Sequence, residues 1–295
     1  MRAFPLAWFV PLLAVVGGSH GAPMPAGAMW TREQVAAWCI VPYDAKKRGP
    51  VERARMLQRL GLHKLAYDYR DEHLPTFDAE IAAMREHKIE IVAWWFPVTL
   101  DPTARQILAT LERHKIQPQL WVSGWEGSAT QGLSPAQRLA HETDRIRPIA
   151  AEAKALGCTV ALYNHGGWFG EPENQIAIIE RLRAEGFTNL GIVYNFHHGH
   201  PHVARFAELW SKMRPYVLAV NLNGMIPNGD RDGRKIVYLG EGTEELAMMR
   251  IVERSGWRGL IGVLNHRPDV DAEEALQKNL AGLEKLVASL RPRSP

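Results

Sequence analysis

The sequence predicts a single-domain (β/α)₈ TIM barrel, and three observations carry that expectation. Short apolar runs of strand length alternate with amphipathic stretches of helix length, and the chain has room for eight such units. The apolar runs also end repeatedly in polar clusters, richest at Tyr163-Asn164-His165-Gly166-Gly167 and Asn195-Phe196-His197-His198-Gly199-His200. Strands alternating with helices form a parallel sheet covered on its outer face. In a closed barrel the C-terminal strand ends converge on one mouth, so polar clusters far apart in sequence meet there.

Taken in order, the chain opens with Arg2, an apolar run from Ala3 to Val16 and a small-residue segment, Gly17-Gly18-Ser19-His20-Gly21. That is the layout of a secretory signal peptide over residues 1–21, too short and too broken by Pro5 and Pro11 for a membrane span. Export to the periplasm or beyond follows, with cleavage near Gly21 and no membrane contact afterwards. Residues 22–31, rich in Pro, Ala and Gly, read as a linker, and 32–295 as the barrel. Strands are expected at Val35–Val41, Lys64–Tyr67, Ile89–Phe96, Gln119–Ser123, Thr159–Tyr163, Leu190–Tyr194, Val217–Leu222 and Leu260–Leu264. Helices are expected at Pro50–Leu60, Thr76–His87, Pro102–His114, Pro135–Leu156, Pro172–Glu185, His202–Met213, Glu244–Ser255 and Ala272–Leu290. Proline opens several of them, where its missing N–H costs nothing, and Gly61, Gly157, Gly186 and Gly256 suit the C-terminal caps.

The composition is that of an ordinary globular chain: 295 residues, 46% hydrophobic, 23% charged. A formal charge of +3, which removal of residues 1–21 lowers only by Arg2, predicts no nucleic-acid surface. Cys39 and Cys158 lie in or beside strands and read as small buried thiols rather than a disulfide.

The strand ends define the candidate site. Asp68 with Arg70 follows the second strand, Trp94 and Trp95 close the third, and Trp125 and Glu126 follow the fourth. Aromatic faces beside carboxylates and amides are what a polyhydroxylated ligand needs, since sugar rings offer apolar C–H faces and many hydroxyls. One of Trp94 and Trp95 must face the helix layer, because neighbours on a strand point opposite ways. Tyr163, Asn164, His165 and Trp168 follow the fifth strand, Asn195, His197, His198 and His200 the sixth, and Asn221 and Asn223 the seventh. Glu241 lies in the loop before the next helix, and Asn265 and His266 close the eighth strand. Imidazoles in this density suit proton transfer or metal binding. His165, Asn195, His198, Asn221, Asn265 and His266 are expected to point into one pocket.

The Asn164-His165-Gly166-Gly167 turn, the Asn195-x-x-His198 pair, and Leu239-Gly240-Glu241-Gly242 with Gly256-Trp257-Arg258-Gly259 resemble the xylose isomerase-like TIM-barrel superfamily, the sugar phosphate isomerase/epimerase group. The resemblance implies a divalent metal held by carboxylates and histidines from strands five to eight. The matching positions here are Tyr163, Asn195, His198, Asn221 and Asn265, so almost every anionic ligand is replaced. Hard cations favour carboxylates, and the expectation becomes either no cofactor or a weakly held Mn²⁺ or Zn²⁺ on His165, His198 and His200.

Three functions fit these residues. The first is an exported enzyme acting on a small sugar or oxidised sugar, an isomerase, epimerase or lyase. In it His165, His198 or Glu126 moves the proton, and Asp68, Trp94, Trp125, Tyr163, Asn164, Trp168, Asn195, Asn221, Asn223, Glu241, Asn265 and His266 contact the substrate. The second is a sugar-binding barrel without chemistry. The third is a glycoside hydrolase, which needs two facing carboxylates.

Overall fold

The computed structural model describes residues 27–124 and 130–291. Eight parallel strands close on themselves in sequence order: β1 (Val35–Trp38), β2 (Lys64–Tyr67), β3 (Glu90–Phe96), β4 (Gln119–Val122), β5 (Thr159–Tyr163), β6 (Leu190–Asn195), β7 (Val217–Leu222) and β8 (Leu260–Leu264). β8 returns to β1 with Val35 paired to Ile261 and Trp38 to Leu264, which completes the ring. The helices are α1 (Pro50–Arg59), α2 (Phe77–Glu86), α3 (Pro102–His114), α4 (Pro135–Ala155), α5 (Gly167–Gly170), α6 (Pro172–Ala184), α7 (Phe206–Met213), α8 (Glu245–Arg254) and α9 (Ala272–Leu290).

Local sequence explains these boundaries. Proline fills the first turn of α1, α3, α4 and α6, and side-chain caps at Asp101 and Ser134 accept from the orphan amides of Ala104 and Gln137. Gly61, Gly157, Gly186 and Gly256 all hold positive φ after their helices, the left-handed turn that suits glycine. The stretch expected to begin a helix at His202 instead winds as a 3₁₀ turn over His200–Arg205 before α7. Of the expected linker, Ala28–Trp30 forms a short 3₁₀ turn with Met29 and Trp30 buried against the barrel, so aromatic burial overrides the Pro/Ala/Gly composition there. Residues 1–26, including the expected signal peptide, lie outside the described residues. No described helix is long and apolar enough to cross a membrane.

Two apolar layers result. The larger lies between sheet and helices. The smaller fills the barrel with Ala66, Ala93, Trp121, Ala161, Val193 and Ala219, and its top is closed by Trp38 and Tyr163. Mostly small residues below, with the Trp121 ring packed edge-on against Trp38, and large rings above leave a floor just under the C-terminal mouth. At β8, glycine is required by close approach: a Cβ on Gly262 would come 1.9 Å from Asn221 Oδ1. Buried charges hold the loops around the mouth. Arg48 bridges Asp44 and Asp271, tying the loop after β1 to the start of α9, and Arg145 pairs with Glu142 while donating to the carbonyls of Val98 and Ser123.

Candidate active site

The mouth is a cavity of about 60 Å³ lined by residues at the ends of six strands and in the loop after β1. Trp38, Cys39 and Tyr43 come from β1 and its loop, Asp68 and Arg70 from the end of β2, Trp95 from β3, Tyr163 and His165 from β5, His197 and His198 from β6, and His266 from β8. It continues past His165, His197 and His198 into a second space of about 210 Å³ that Lys235, Asp230 and Glu171 also line. Together the two approach the lower size limit of about 300 Å³ for ligand pockets, which suits one sugar ring. A larger cleft of about 780 Å³ opens at the other end of the barrel around Gln34, Lys64, Glu90 and Gln119, but it gathers no comparable set of reactive groups.

Asp68 is the buried carboxyl of the mouth. Its Oδ1 accepts from the Val41 amide at 3.3 Å, while Oδ2 is buried with no hydrogen-bond partner among the described residues. Burial lifts its pKa to about 7, against the opposing pull of Arg70. The adjoining Cys39 thiol is pushed well up by burial and then by Asp68, and is an inert neighbour rather than a nucleophile.

Across the ring stand the histidines of β6, since β2 and β6 are four strands apart among eight. Tyr163 and Asn195 set their geometry. Asn195 Nδ2 donates to the Tyr163 hydroxyl, which leaves Oδ1 to accept from His197 Nδ1 at 2.6 Å. His197 therefore carries its proton on Nδ1, and its Nε2 lone pair is buried and unpartnered among the described residues. The ring of His198 lies 3.8 Å from that of His197 and 4.6 Å from that of His165, and the rings of His197 and His266 are 5.3 Å apart. Burial, then the Lys235 ammonium and neighbouring imidazoles, holds His198 down to about 2, and burial with Lys235 and Arg70 holds His266 at about 4. His197 is depressed well below its usual value by burial and by His198. At neutral pH these three rings are uncharged.

Strain marks the same place. Cys39 and His266 have φ of 56° and 51°, a region that costs a non-glycine residue about 1 kcal/mol or more, and the His266 amide donates to the Cys39 carbonyl at 3.2 Å. These residues end β1 and β8, where the chain turns away from the sheet to present His266.

The structure brings together His165, His198, His266, Tyr163 and Asp68 as expected, and places other candidates elsewhere. Trp94 faces the helix layer, fully buried against Tyr67 and Phe77 with ring centroids 4.5 and 5.0 Å away, and Trp95 takes the inward position. Asn164 spends its amide on the backbone of Asn195, and Asn223 spends its own on the carbonyls of Gly224 and Lys235 and the amide of Val237. Asn195, Asn221 and Asn265 are buried at or beside the strand ends without lining the cavity: Asn195 orients His197, Asn265 donates to the Tyr43 carbonyl, and Asn221 points into the barrel beside Gly262. Trp168 packs partly on the core with Arg138 5.9 Å over its ring, and its carbonyl receives Asn174. Glu241 is exposed, while its neighbour Glu245 is buried and accepts from the amides of Met225, Gly240 and Gly242. His200 turns away, its ring nitrogens facing the carbonyls of Ile226 and Lys235 at 2.7 and 2.9 Å, because the loop after β7 needs that bridge. Trp125 and Glu126 lie outside the described residues. Sequence reasoning missed Trp38, Tyr43 and Lys235 as wall residues, and took Cys39 only as a buried thiol.

The donor set does not fit a divalent cation. Tyr163, Asn195 and Asn265 are engaged with protein partners, and His200 is withdrawn to the loop after β7, so the expected set of His165, His198 and His200 is not assembled. Among the described residues no three His, Cys, Asp or Glu side chains converge as metal ligands.

No family model matches the sequence, and no curated protein does. Solved structures do match in fold. The 3-keto-D-glucoside 4-epimerase from E. coli superposes with a TM-score of 0.63 at 15% identity, covering 88% of this chain and 99% of that one. A D-psicose 3-epimerase from Clostridium cellulolyticum H10, solved with D-tagatose, gives 0.63 at 11% identity over 88% and 100%. A xylose isomerase-like TIM-barrel protein from Mycobacterium smegmatis, in complex with magnesium, gives 0.59 at 13% identity over 90% and 100%. The shared feature is the fold, a closed eight-stranded parallel (β/α)₈ barrel.

Proposed function

We propose that this protein is an exported enzyme that moves a proton on a carbon beside the carbonyl of a sugar or oxidised sugar. The outcome is isomerisation or epimerisation, or elimination where the next carbon bears a leaving group. The observation that carries this reading is the opposition of Asp68, a carboxyl poised near neutrality, to the uncharged imidazoles of His197 and His198 across an aromatic-walled cavity. A base working at neutral pH is most effective with a pKa near 7, and Asp68 has one because it is buried. Its ionised Oδ2 takes the proton, and the electron pair moves onto the carbonyl oxygen. The N–H groups of neutral His198 and His266 stabilise that oxyanion without giving up a proton prematurely. For isomerisation, Asp68 returns the proton to the adjacent carbon while the hydroxyl proton on the first carbon passes to the oxyanion, so that carbonyl and hydroxyl exchange places. For epimerisation the proton arrives on the opposite face, where His165 stands. Trp38 and Trp95 offer apolar faces to the ring.

The fold neighbours support this reading, two of them being sugar epimerases by name. A glycosidase is disfavoured, because of the two other carboxyls at the described mouth Glu171 is taken up by Arg205 and His202 and Asp230 stands exposed on the outer rim. Export is supported by the order of basic, apolar and small segments in residues 1–21, and is checked by mass spectrometry of the mature N-terminus.

The test is incubation with a panel of ketoses, aldoses and oxidised sugars in D₂O, followed by NMR. Deuterium entering at a carbon beside a carbonyl, with loss of the signal in Asp68→Asn, is the expected result. Tight binding of a sugar with no exchange at any carbon identifies a binding protein instead.

A further inference from the structure

Two cations face the mouth without a direct ion pair among the described residues. Arg70, at the end of β2, donates to the Tyr69 carbonyl at 2.6 Å and to the Tyr43 hydroxyl at 3.3 Å, and lies 5.5 Å over the Tyr43 ring. Tyr43 in turn meets His266 edge-on at 4.0 Å, so guanidinium, phenol and imidazole form one packed column at the cavity wall. Lys235 reaches the other side from the loop after β7, half-buried, its backbone fixed by His200 and Asn223. Both cations act electrostatically on His266, from β8 between them.

The surrounding carboxylates offset this pair only in part: Arg70 acts on Asp68 and Asp230 on Lys235, with no direct ion pair to either among the described residues. Glu171 is held by Arg205 at 2.6 Å, Asp68 is half-protonated near neutrality, and Asp230 stands exposed on the outer rim beside Lys235. Half-buried cations gain from a partner that brings negative charge, and two buried atoms without partners among the described residues point to a ligand here: His266 Nδ1, beside both cations, and the His197 Nε2 lone pair, which suits a sugar hydroxyl.

We infer that the sugar taken by this mouth carries a negative charge of its own, as a sugar carboxylate of the hexuronate type held between Arg70 and Lys235. This rests on the proposed function and names its substrate class. A carboxylate is favoured over a phosphate because the glycine turn lining the mouth, Gly166-Gly167, opens only the four-residue α5, and the long-helix N-terminus that lines it, that of α6, already carries the Glu171 carboxylate, which repels a doubly charged group more strongly than a single charge. The positive charge that a metal would bring to such a barrel mouth is then supplied by side chains, and the substrate brings the counter-charge.

The experiment is calorimetric titration of the mature full-length protein at neutral pH with D-glucuronate, D-glucose and D-glucose 6-phosphate, at low and high salt. A charged hydrogen-bonded contact makes glucuronate bind at least about tenfold tighter than glucose, with an advantage that shrinks in salt. Arg70→Gln and Lys235→Gln each remove most of that advantage, and Lys235→Arg retains it, which separates loss of charge from loss of folding. Equal affinity for glucose and glucuronate, an advantage untouched by both substitutions, or tighter binding of glucose 6-phosphate overturns the inference. Deuterium exchange on a neutral sugar without any anion preference leaves the enzyme reading standing and removes this one. Anion-dependent binding without exchange does the reverse.

Discussion

Replacing Asp68 by Asn separates stability from activity in opposite directions, and the size of the effect follows from its burial. The carboxyl has a pKa of about 7 in the fold against the usual 3.8, and each unit of difference is worth about 1.4 kcal/mol. The sign follows from proton binding. A raised acid keeps its proton in the folded state while the unfolded chain has released it, so stability present below the unfolded value is lost as pH rises toward 7. At about pH 8 the ionised carboxyl costs the native protein about 4 kcal/mol, and at about pH 5.5 about 2 kcal/mol. Asn keeps an oxygen for the Val41 amide and carries no charge, so the variant gains on the wild type by about 2 kcal/mol between those two pH values. Titrations elsewhere are common to both proteins and cancel. Paired urea denaturations at the two pH values measure the difference directly. The same substitution removes the proton acceptor and lowers exchange activity by about 10² to 10⁴-fold. A stability difference that is the same at both pH values would refute the reasoning, because Asp68 would then ionise normally.

Other expectations follow from the same geometry. The three depressed histidines make the fold acid-labile: a base with a lowered pKa contributes stability at neutral pH that is lost as pH falls below about 6.5. For His266 alone that loss reaches about 3 kcal/mol by about pH 4, outweighing the opposite drift from Asp68 once His197 and His198 add to it. Denaturation at stepped pH checks this, and His266→Gln should flatten part of the slope. Gly262→Ala drives a methyl into Asn221 and should cost about 1 to 3 kcal/mol in urea melts, with no loss in a Gly186→Ala control beyond its backbone strain, since nothing lies within 4 Å of that site. Glu245→Ala removes the acceptor of three buried or half-buried amides and should cost about 3 kcal/mol while speeding hydrogen exchange at Met225, Gly240 and Gly242.

Most of the barrel was legible because its rhythm is a local property. The expected strands over Lys64–Tyr67, Thr159–Tyr163, Val217–Leu222 and Leu260–Leu264 coincide with β2, β5, β7 and β8, since buried parallel strands are short apolar runs whatever their partners. The ends of β1 and β8 were less legible: the positive φ of Cys39 and His266 comes from tertiary packing, and no propensity announces it. In the site, the histidine clusters showed where the mouth is but not which rings face it. His197 and His198 are adjacent, and both line the cavity only because a 3₁₀ turn replaces the strand alternation there. His200, two residues on, is captured by the loop after β7, a contact that joins residues 26 and 35 positions apart. Four of the asparagines failed as ligand contacts for one reason: a buried amide at a strand end must satisfy its own donors and acceptors first, and Asn164, Asn195, Asn223 and Asn265 each find backbone or side-chain partners, whereas Asn221 is simply packed into the barrel against Gly262, its amide unpartnered among the described residues. Lys235 was invisible because nothing around it in sequence marks a strand end.

The central claim, that Asp68 is the proton acceptor of a sugar-processing site, is tested most directly by the pH profile of deuterium exchange once a substrate is identified. Exchange is expected to rise with pH through an inflection near 7, as Asp68 ionises, and this limb to disappear in Asp68→Asn while His197→Gln retains it at a reduced rate. A profile that runs flat through that region, or a limb that persists unchanged in Asp68→Asn, would contradict it.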